Sequence, residues 1–277
     1  MLRALKRLIF LRKADPLAVL VRLAADGRVD LDALVARVEA EATRKAAAER
    51  LQAHELARLA EMENRRLHLG CGGYAMDGWT NIDGGDGINY DPPADPRVVK
   101  IDVFAALATL PNRSVEFIHS EQFFEHFTRQ EGFRLMRECY RVLMPGGVMR
   151  TQVPDLEWVV KLYRDEVPFA RWDSVQYPHR MRHIATTRDP YGRLIDGETY
   201  LPSMMINNGF HMDGHKYLYD WKTLEQTLRL AGFGKIVRCD FGKSEHAALD
   251  GIDHHDGGET GRTWVPKIAL TAEATRL

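Results

Sequence analysis

Leu67-His68-Leu69-Gly70-Cys71-Gly72-Gly73 is the stretch that decides the fold. A short apolar strand runs straight into glycines. Without side chains, Gly70 and Gly72 let a ligand approach the backbone closely, and the bend's amides are open to it. A tight turn with no ligand fits these residues equally well. In an open α/β sheet, ligands sit outside the carboxyl ends of the strands, where this bend falls.

Outward from the bend, short apolar runs alternate with helical stretches and glycine turns, the texture of an α/β domain. The spacing predicts strands at Arg66–Leu69, Thr80–Asp83, Val98–Ile101, Phe117–Ser120, Val148–Val153, Lys235–Cys239 and near Trp264–Leu270. A helix over Glu131–Leu143 is expected to bury Phe133, Met136, Tyr140 and Leu143, with Pro145-Gly146-Gly147 ending it. A second helix runs from Trp221 to Leu230, capped by Gly232. Only about ten residues separate the first two strands, fewer than a parallel crossover normally needs, so the first crossover helix is expected to shrink to a turn. Residues 156–215 have few clean periods and many aromatic, Arg and Pro residues. They read as an insertion over one end of the sheet, before the penultimate strand.

Four consecutive strand ends then offer polar groups. Asp83 closes the second strand, where a carboxylate can accept two hydrogen bonds from the cis-diol of a ribose. Asp102 follows the third strand, within reach of an adenine amino group. Ser120 and Glu121 end the fourth, beside the same crevice. Each acid alone reads as a loop or helix cap; their spacing together favours a nucleoside site.

These residues resemble a family. Leu69-Gly70-Cys71-Gly72, then Gly78-Trp79-Thr80-Asn81-Ile82-Asp83, then Glu125-His126 and Arg141-Val142-Leu143-Met144-Pro145-Gly146-Gly147 look like the class I S-adenosylmethionine-dependent methyltransferases. The likeness is to the predicted bacterial small-molecule, type 11-like group, and it covers residues 65–272. It implies a Rossmann-like seven-stranded sheet, mostly parallel, with an antiparallel last strand. It places S-adenosylmethionine on Leu69, Gly70, Cys71 and Gly72, its ribose on Asp83, its adenine beside Asp102 and Val103, and Ser120 and Glu121 next to it. Two departures stand out. His68 occupies a first-strand position where many members carry an acid, and Tyr74 replaces the usual third glycine of the bend.

A sulfonium methyl is already activated, so such a protein mainly has to align an acceptor, and a hydroxyl acceptor also needs a base. His126 is the first candidate base, although Glu125-His126 also reads as a packed helix start. His211 and His215 precede a helix on the substrate side. Their i, i+4 spacing suits a metal only if helical, and Asp213-Gly214 argues for a loop, so no metal is expected. Arg180 and Tyr177, with Arg171, Arg182, Arg188, Arg193, Trp172 and Tyr191, either grip a phosphorylated or glycosidic acceptor or form a layer of snorkelling arginines. Asp155 reads as a helix cap. His254-His255 sit in a Gly/Asp-rich stretch that reads as a solvated loop or the rim of a substrate mouth.

Composition agrees. With 45% apolar and 28% charged residues and a formal net charge of −1, the chain has an ordinary globular balance and no overall electrostatic case for wrapping nucleic acid. Cys71, Cys139 and Cys239 form no CxxC pair, so neither a disulfide framework nor a zinc cluster is expected. No apolar run approaches a membrane span and no signal peptide is read, so a cytoplasmic setting is expected.

Residues 1–64 lie outside the resemblance and read as a helical extension. Residues 1–13 carry five basic side chains and no acid, with Leu2, Leu5 and Ile9 near one helical face. That pattern fits a peripheral contact with the inner membrane surface, or an ordinary terminal helix. Leu31, Leu34, Val35 and Val38 have amphipathic spacing, and residues 40–64 form a long, weakly apolar helix suited to pairing copies of the chain. The expected activity is methyl transfer to a small-molecule or glycan acceptor at a hydroxyl oxygen. The alternative is a non-catalytic module of the same fold that docks a partner through its N-terminal helices.

Overall fold

The computed structural model describes residues 23, 27, 30–63, 65–84, 95–164, 207, 210, 214–254 and 269–277. Tyr177, Arg180, His211, His255 and residues 1–13 lie outside them, as do Arg171, Trp172, Arg182, Arg188, Tyr191 and Arg193. The chain divides into two compact units, residues 1–54 and 55–277.

In the first unit, helix α1 (Leu31–Glu61) begins at Asp30, whose carboxylate accepts from the Ala33 amide at 3.0 Å. The two helical stretches read separately are thus one helix, which extends past residue 54. Val35, Val38 and Leu51 are exposed on it.

The second unit holds the end of α1 and a seven-stranded sheet. The strands are β1 (Arg66–Leu69), β2 (Thr80–Ile82), β3 (Val98–Val99), β4 (Val115–Glu121), β5 (Leu143–Pro154), β6 (Lys235–Cys239) and β7 (Ala269–Thr275). Their order is β3-β2-β1-β4-β5-β7-β6. The first five run parallel, and β7 is antiparallel to both β5 and β6. This is the Rossmann-like α/β sheet the resemblance implies. Near the end of α1, Leu59 is fully buried, and Arg58 donates to the carbonyl of Val98 at 2.9 Å.

Helices α2 (Val103–Thr109), α3 (Arg129–Val142), α4 (Leu156–Tyr163) and α5 (Trp221–Ala231) complete the unit. Thr128 and Glu131 form a reciprocal capping box at the start of α3. Gly232 ends α5 at φ 119°, where its amide reaches the carbonyls of Leu228 and Arg229.

Several expectations are corrected. Helix α2 fills a stretch to which the sequence assigns no element. The buried stripe of α3 is Gly132, Leu135, Met136, Cys139 and Val142; Phe133 and Tyr140 are half-buried at its margins. Pro145-Gly146-Gly147 does not end α3. The helix stops at Val142, and β5 runs through the glycines. Gly147 is required there, since a Cβ would lie 2.9 Å from the Met144 carbonyl oxygen. Strand β7 lies later than expected, at Ala269–Thr275.

Residues 70–79, between β1 and β2, contain no helix, as the short spacing predicts. A bend and loop therefore connect these parallel neighbours. Among the described residues, no helix is long and apolar enough to cross a membrane.

Candidate functional site

The chain places β2 and β3 on one side of β1, then crosses to set β4 on the other. The strand order reverses at the β1/β4 boundary, where ligands bind in open α/β sheets. The glycine bend lies at that point, with Gly70 at φ 64° and Gly72 at φ 51°, conformations that favour glycine.

The bend is internally tied. The Gly70 amide donates to the Ile82 carbonyl at 2.9 Å, and the Cys71 amide reaches the same oxygen at 3.4 Å. The Gly72 amide donates to Asp83 Oδ2 at 2.8 Å. The expectation of open amides is therefore corrected: these three already hold the end of β2. Gly70 has a further reason to be glycine, since a Cβ there would stand 2.1 Å from the ring of Phe123. Gly73 is exposed, with no described residue within 4 Å of a Cβ, and is the open part of the bend. Burial, helped by the charge of Asp83, pushes the Cys71 thiol up to about 12, so it stays protonated.

The fit to a nucleoside rests on the ends of β2 and β3. Asp83 is buried at the first. Asp102 is exposed at the second, its Oδ1 capping α2 through the Ala105 amide at 3.0 Å. A Cβ on Gly84 would lie 2.8 Å from the Ile101 carbonyl oxygen and 3.0 Å from the Asp102 nitrogen. Glycine at 84 therefore lets the two acid-bearing ends close up. Two carboxylates on adjacent strand ends suit the hydroxyl and amino donors of an adenosine. Val103 is buried in the first turn of α2. Leu69 is buried in the core, and the Ser120 hydroxyl donates to Thr151 Oγ1 at 3.0 Å, inside the sheet.

Beyond β4, Phe124–His126 forms a 3-10 turn. Phe123 packs over Gly70 and edge-on against Phe124 and Phe127, fixing this turn to the bend. The fold brings His126 and His215 together, with ring centres 5.2 Å apart and edge-on. Glu125 is fully buried beside them, and its carbonyl accepts from the Lys216 amide at 2.7 Å. Asp155 caps α4, accepting from the Glu157 amide at 2.9 Å, and pairs with Arg238 at 3.1 Å.

Sequence reasoning missed a buried polar row on one face of the sheet. His68 and His119 are register partners on β1 and β4, with ring centres 5.1 Å apart, and Arg150 is the partner of His119 on β5. Asn81 meets His68 Nδ1 at 3.3 Å. Burial, with the neighbouring His119 adding to it, lowers His68 to about 3, so its imidazole is neutral at ordinary pH. Arg150 is fully buried. Its guanidinium is bidentate on Asp253 and reaches Glu273 at 2.7 Å. Burial alone would lower its pKa; the hydrogen bond and charge of Asp253, then of Glu273, outweigh burial and raise it. Beside Asp253, the amide of His254 donates to Glu121 Oε1 at 2.7 Å, and His119 Nε2 lies 3.0 Å from the same oxygen. Glu121 thus turns into this row. The one sequence signal was His68 itself, a polar residue inside an apolar strand.

Residues 67–151 match the family model described as a methyltransferase domain. No curated protein matches the sequence. Among solved structures, a SAM-dependent methyltransferase from Archaeoglobus fulgidus aligns at 17% identity and a TM-score of 0.41, covering 82% of this chain and 94% of that one. Phosphoethanolamine N-methyltransferase 2 of Haemonchus contortus, in complex with S-adenosyl-L-methionine, aligns at 14% and 0.41, covering 81% and 52%. A methyltransferase from Mesorhizobium loti aligns at 16% and 0.40, covering 82% and 98%.

Proposed function

We propose that the chain, whose residues 67–151 match a methyltransferase-domain model, is an S-adenosylmethionine-dependent methyltransferase that methylates a hydroxyl oxygen of a small-molecule or glycan acceptor. The cofactor, when bound, supplies a methyl group on a positive sulfur with a neutral thioether as leaving group. In this reading Asp83 accepts from the ribose hydroxyls, and Asp102 and the start of α2 at Val103 lie along the adenine. The backbone from Leu69 through Gly70, Cys71 and Gly72 flanks the rest, beside the strand-end backbone of Ser120 and Glu121.

The observation that carries the acceptor assignment is the packing of Phe123 on Gly70. It fastens the turn bearing His126 to the bend, which supports His126 as the base. His126 removes the hydroxyl proton, and His215, in ring contact with it, steadies its orientation. His211, Arg180 and Tyr177 belong to the same acceptor side in this reading.

Calorimetry with S-adenosylmethionine and S-adenosylhomocysteine tests the cofactor site, and a screen of sugars, nucleotide-sugars and phenols tests the acceptor. The expected result is micromolar binding, lost in Gly72→Arg, and methylation of an oxygen. Folded protein that binds neither compound at high micromolar concentration would overturn the reading.

Exposed Val35, Val38 and Leu51 on α1 favour one competing reading, a non-catalytic module that docks a partner or a second copy of itself. Cofactor binding with no transfer to any acceptor would support it. The proposal also includes peripheral contact of residues 1–13 with the inner membrane surface. Its test is salt-sensitive binding to anionic vesicles that disappears when those residues are removed.

A further inference from the structure

The side chains of His119, Glu121 and His254 are given no part in the methyl transfer proposed above. We propose that they form a binding site for one divalent transition-metal ion of the zinc type. Their ligand atoms all lie within 4.8 Å of one another. His119 Nε2 is 3.0 Å, and His254 Nδ1 3.8 Å, from Glu121 Oε1. A metal held at about 2.0–2.2 Å by nitrogen and oxygen needs ligands only slightly farther apart than the shorter of these distances. Two imidazoles and one carboxylate suit zinc or cobalt better than calcium or magnesium, which take oxygen shells.

Three observations support an ion at this place. First, Gln152 is the register partner of Glu121 on β5 and is fully buried, yet among the described residues neither atom of its amide has a hydrogen-bond partner. His119 Nδ1 and the hydroxyl of Thr271, the register partner of Gln152 on β7, are in the same condition. Buried polar atoms are nearly always satisfied, and a hydrated cation at Glu121 would bring water to this row. Second, Glu121, Asp253 and Glu273 are all buried on this face, and among the described residues Arg150 is the buried cation opposing them. A dication corrects that imbalance. Third, the third ligand is pre-positioned. Asp253 is clamped by Arg150, and the next residue, His254, is tied to Glu121 through its amide. The His254 side chain is 37% exposed, which gives the ion a way in.

The proposal does not depend on the methyl-transfer reading. The test uses the full-length protein, stripped with a chelator and titrated with Zn²⁺ and then Co²⁺. The expected result is one equivalent per chain and the visible bands of a four- or five-coordinate cobalt site. His119→Ala and Glu121→Gln should weaken binding by roughly 10–100-fold or more. Should either fail to fold, His254→Ala, on the surface loop, should give the same loss with an unchanged circular dichroism spectrum. Glu125, His126 and His215 also converge, so His215→Ala is the control and should keep the cobalt spectrum. The proposal fails if wild-type protein binds no Zn²⁺ at micromolar concentration, or if binding follows His215 rather than His254. Calorimetry with S-adenosylhomocysteine on stripped protein separates this failure from failure of the cofactor site.

Discussion

The amide of Gly72 and the carboxylate of Asp83 lie 2.8 Å apart, joining the bend after β1 to the end of β2. Asp83 therefore shapes the bend as well as facing the proposed ribose. Asp83→Ala should weaken S-adenosylhomocysteine binding by about 10–100-fold, from the loss of charge-assisted hydrogen bonds of about 1.5–3 kcal/mol. It should also raise the exchange rate of the Gly72 amide. Calorimetry and hydrogen exchange measure the two effects separately.

Gly70 should tolerate no side chain. Gly70→Ala adds strain of about 1–2 kcal/mol for a left-handed conformation. It also drives a methyl group into the Phe123 ring, an overpacking cost of about 1–3 kcal/mol. Thermal denaturation should show a clear drop in Tm. In Gly70→Ala/Phe123→Ala the two losses should be less than additive, because the second change removes the clash.

His126→Ala should lower kcat by about 10²–10⁴-fold, the usual contribution of a positioned base. Affinity for S-adenosylhomocysteine should change little. Wild-type turnover in this variant would remove His126 from the role of base.

Arg150→Met should be among the most damaging single changes. It leaves Asp253 and Glu273 facing one another without their guanidinium, and breaking such a buried pair costs about 3–5 kcal/mol. Urea denaturation would measure the loss.

The capping box gives a pH signature. The Thr128 amide and then its hydroxyl bond to Glu131 and hold its carboxyl below the usual value of 4.5. A folded-state pKa below the unfolded one contributes stability that is present above pH 4.5 and is lost as the pH falls through the folded value. Glu131→Gln should flatten that part of the pH–stability curve. Thr128→Ala should cost about 1 kcal/mol near neutral pH.

What was legible in the sequence was local. The glycine bend, the acids closing β2 and β3, Gly232 after α5 and the missing crossover helix all follow from spacing within a dozen residues. The breaks came where tertiary structure overrode local chemistry. Pro145-Gly146-Gly147 has turn composition, but the Gly146 amide donates to the Arg276 carbonyl and the Arg276 amide to the Gly147 carbonyl, which holds the stretch in β5. Phe133 and Tyr140 have helical spacing with Met136, but the buried stripe of α3 is Gly132, Leu135, Met136, Cys139 and Val142. The open bend amides were misjudged because their acceptors, Ile82 and Asp83, belong to another strand. The polar row was invisible because its partners are remote: Arg150 meets Asp253 across 103 positions.

That last separation has a consequence for how the polypeptide is made. Among the described residues, the guanidinium on β5 finds its counter-charges in the loop after β6 and in β7. A nascent chain that has emerged no further than β5 would carry an unpaired cation at the centre of its sheet. Completion of this unit must therefore wait until nearly all of it has left the ribosome, and fragments cut before residue 253 should not reach the native state.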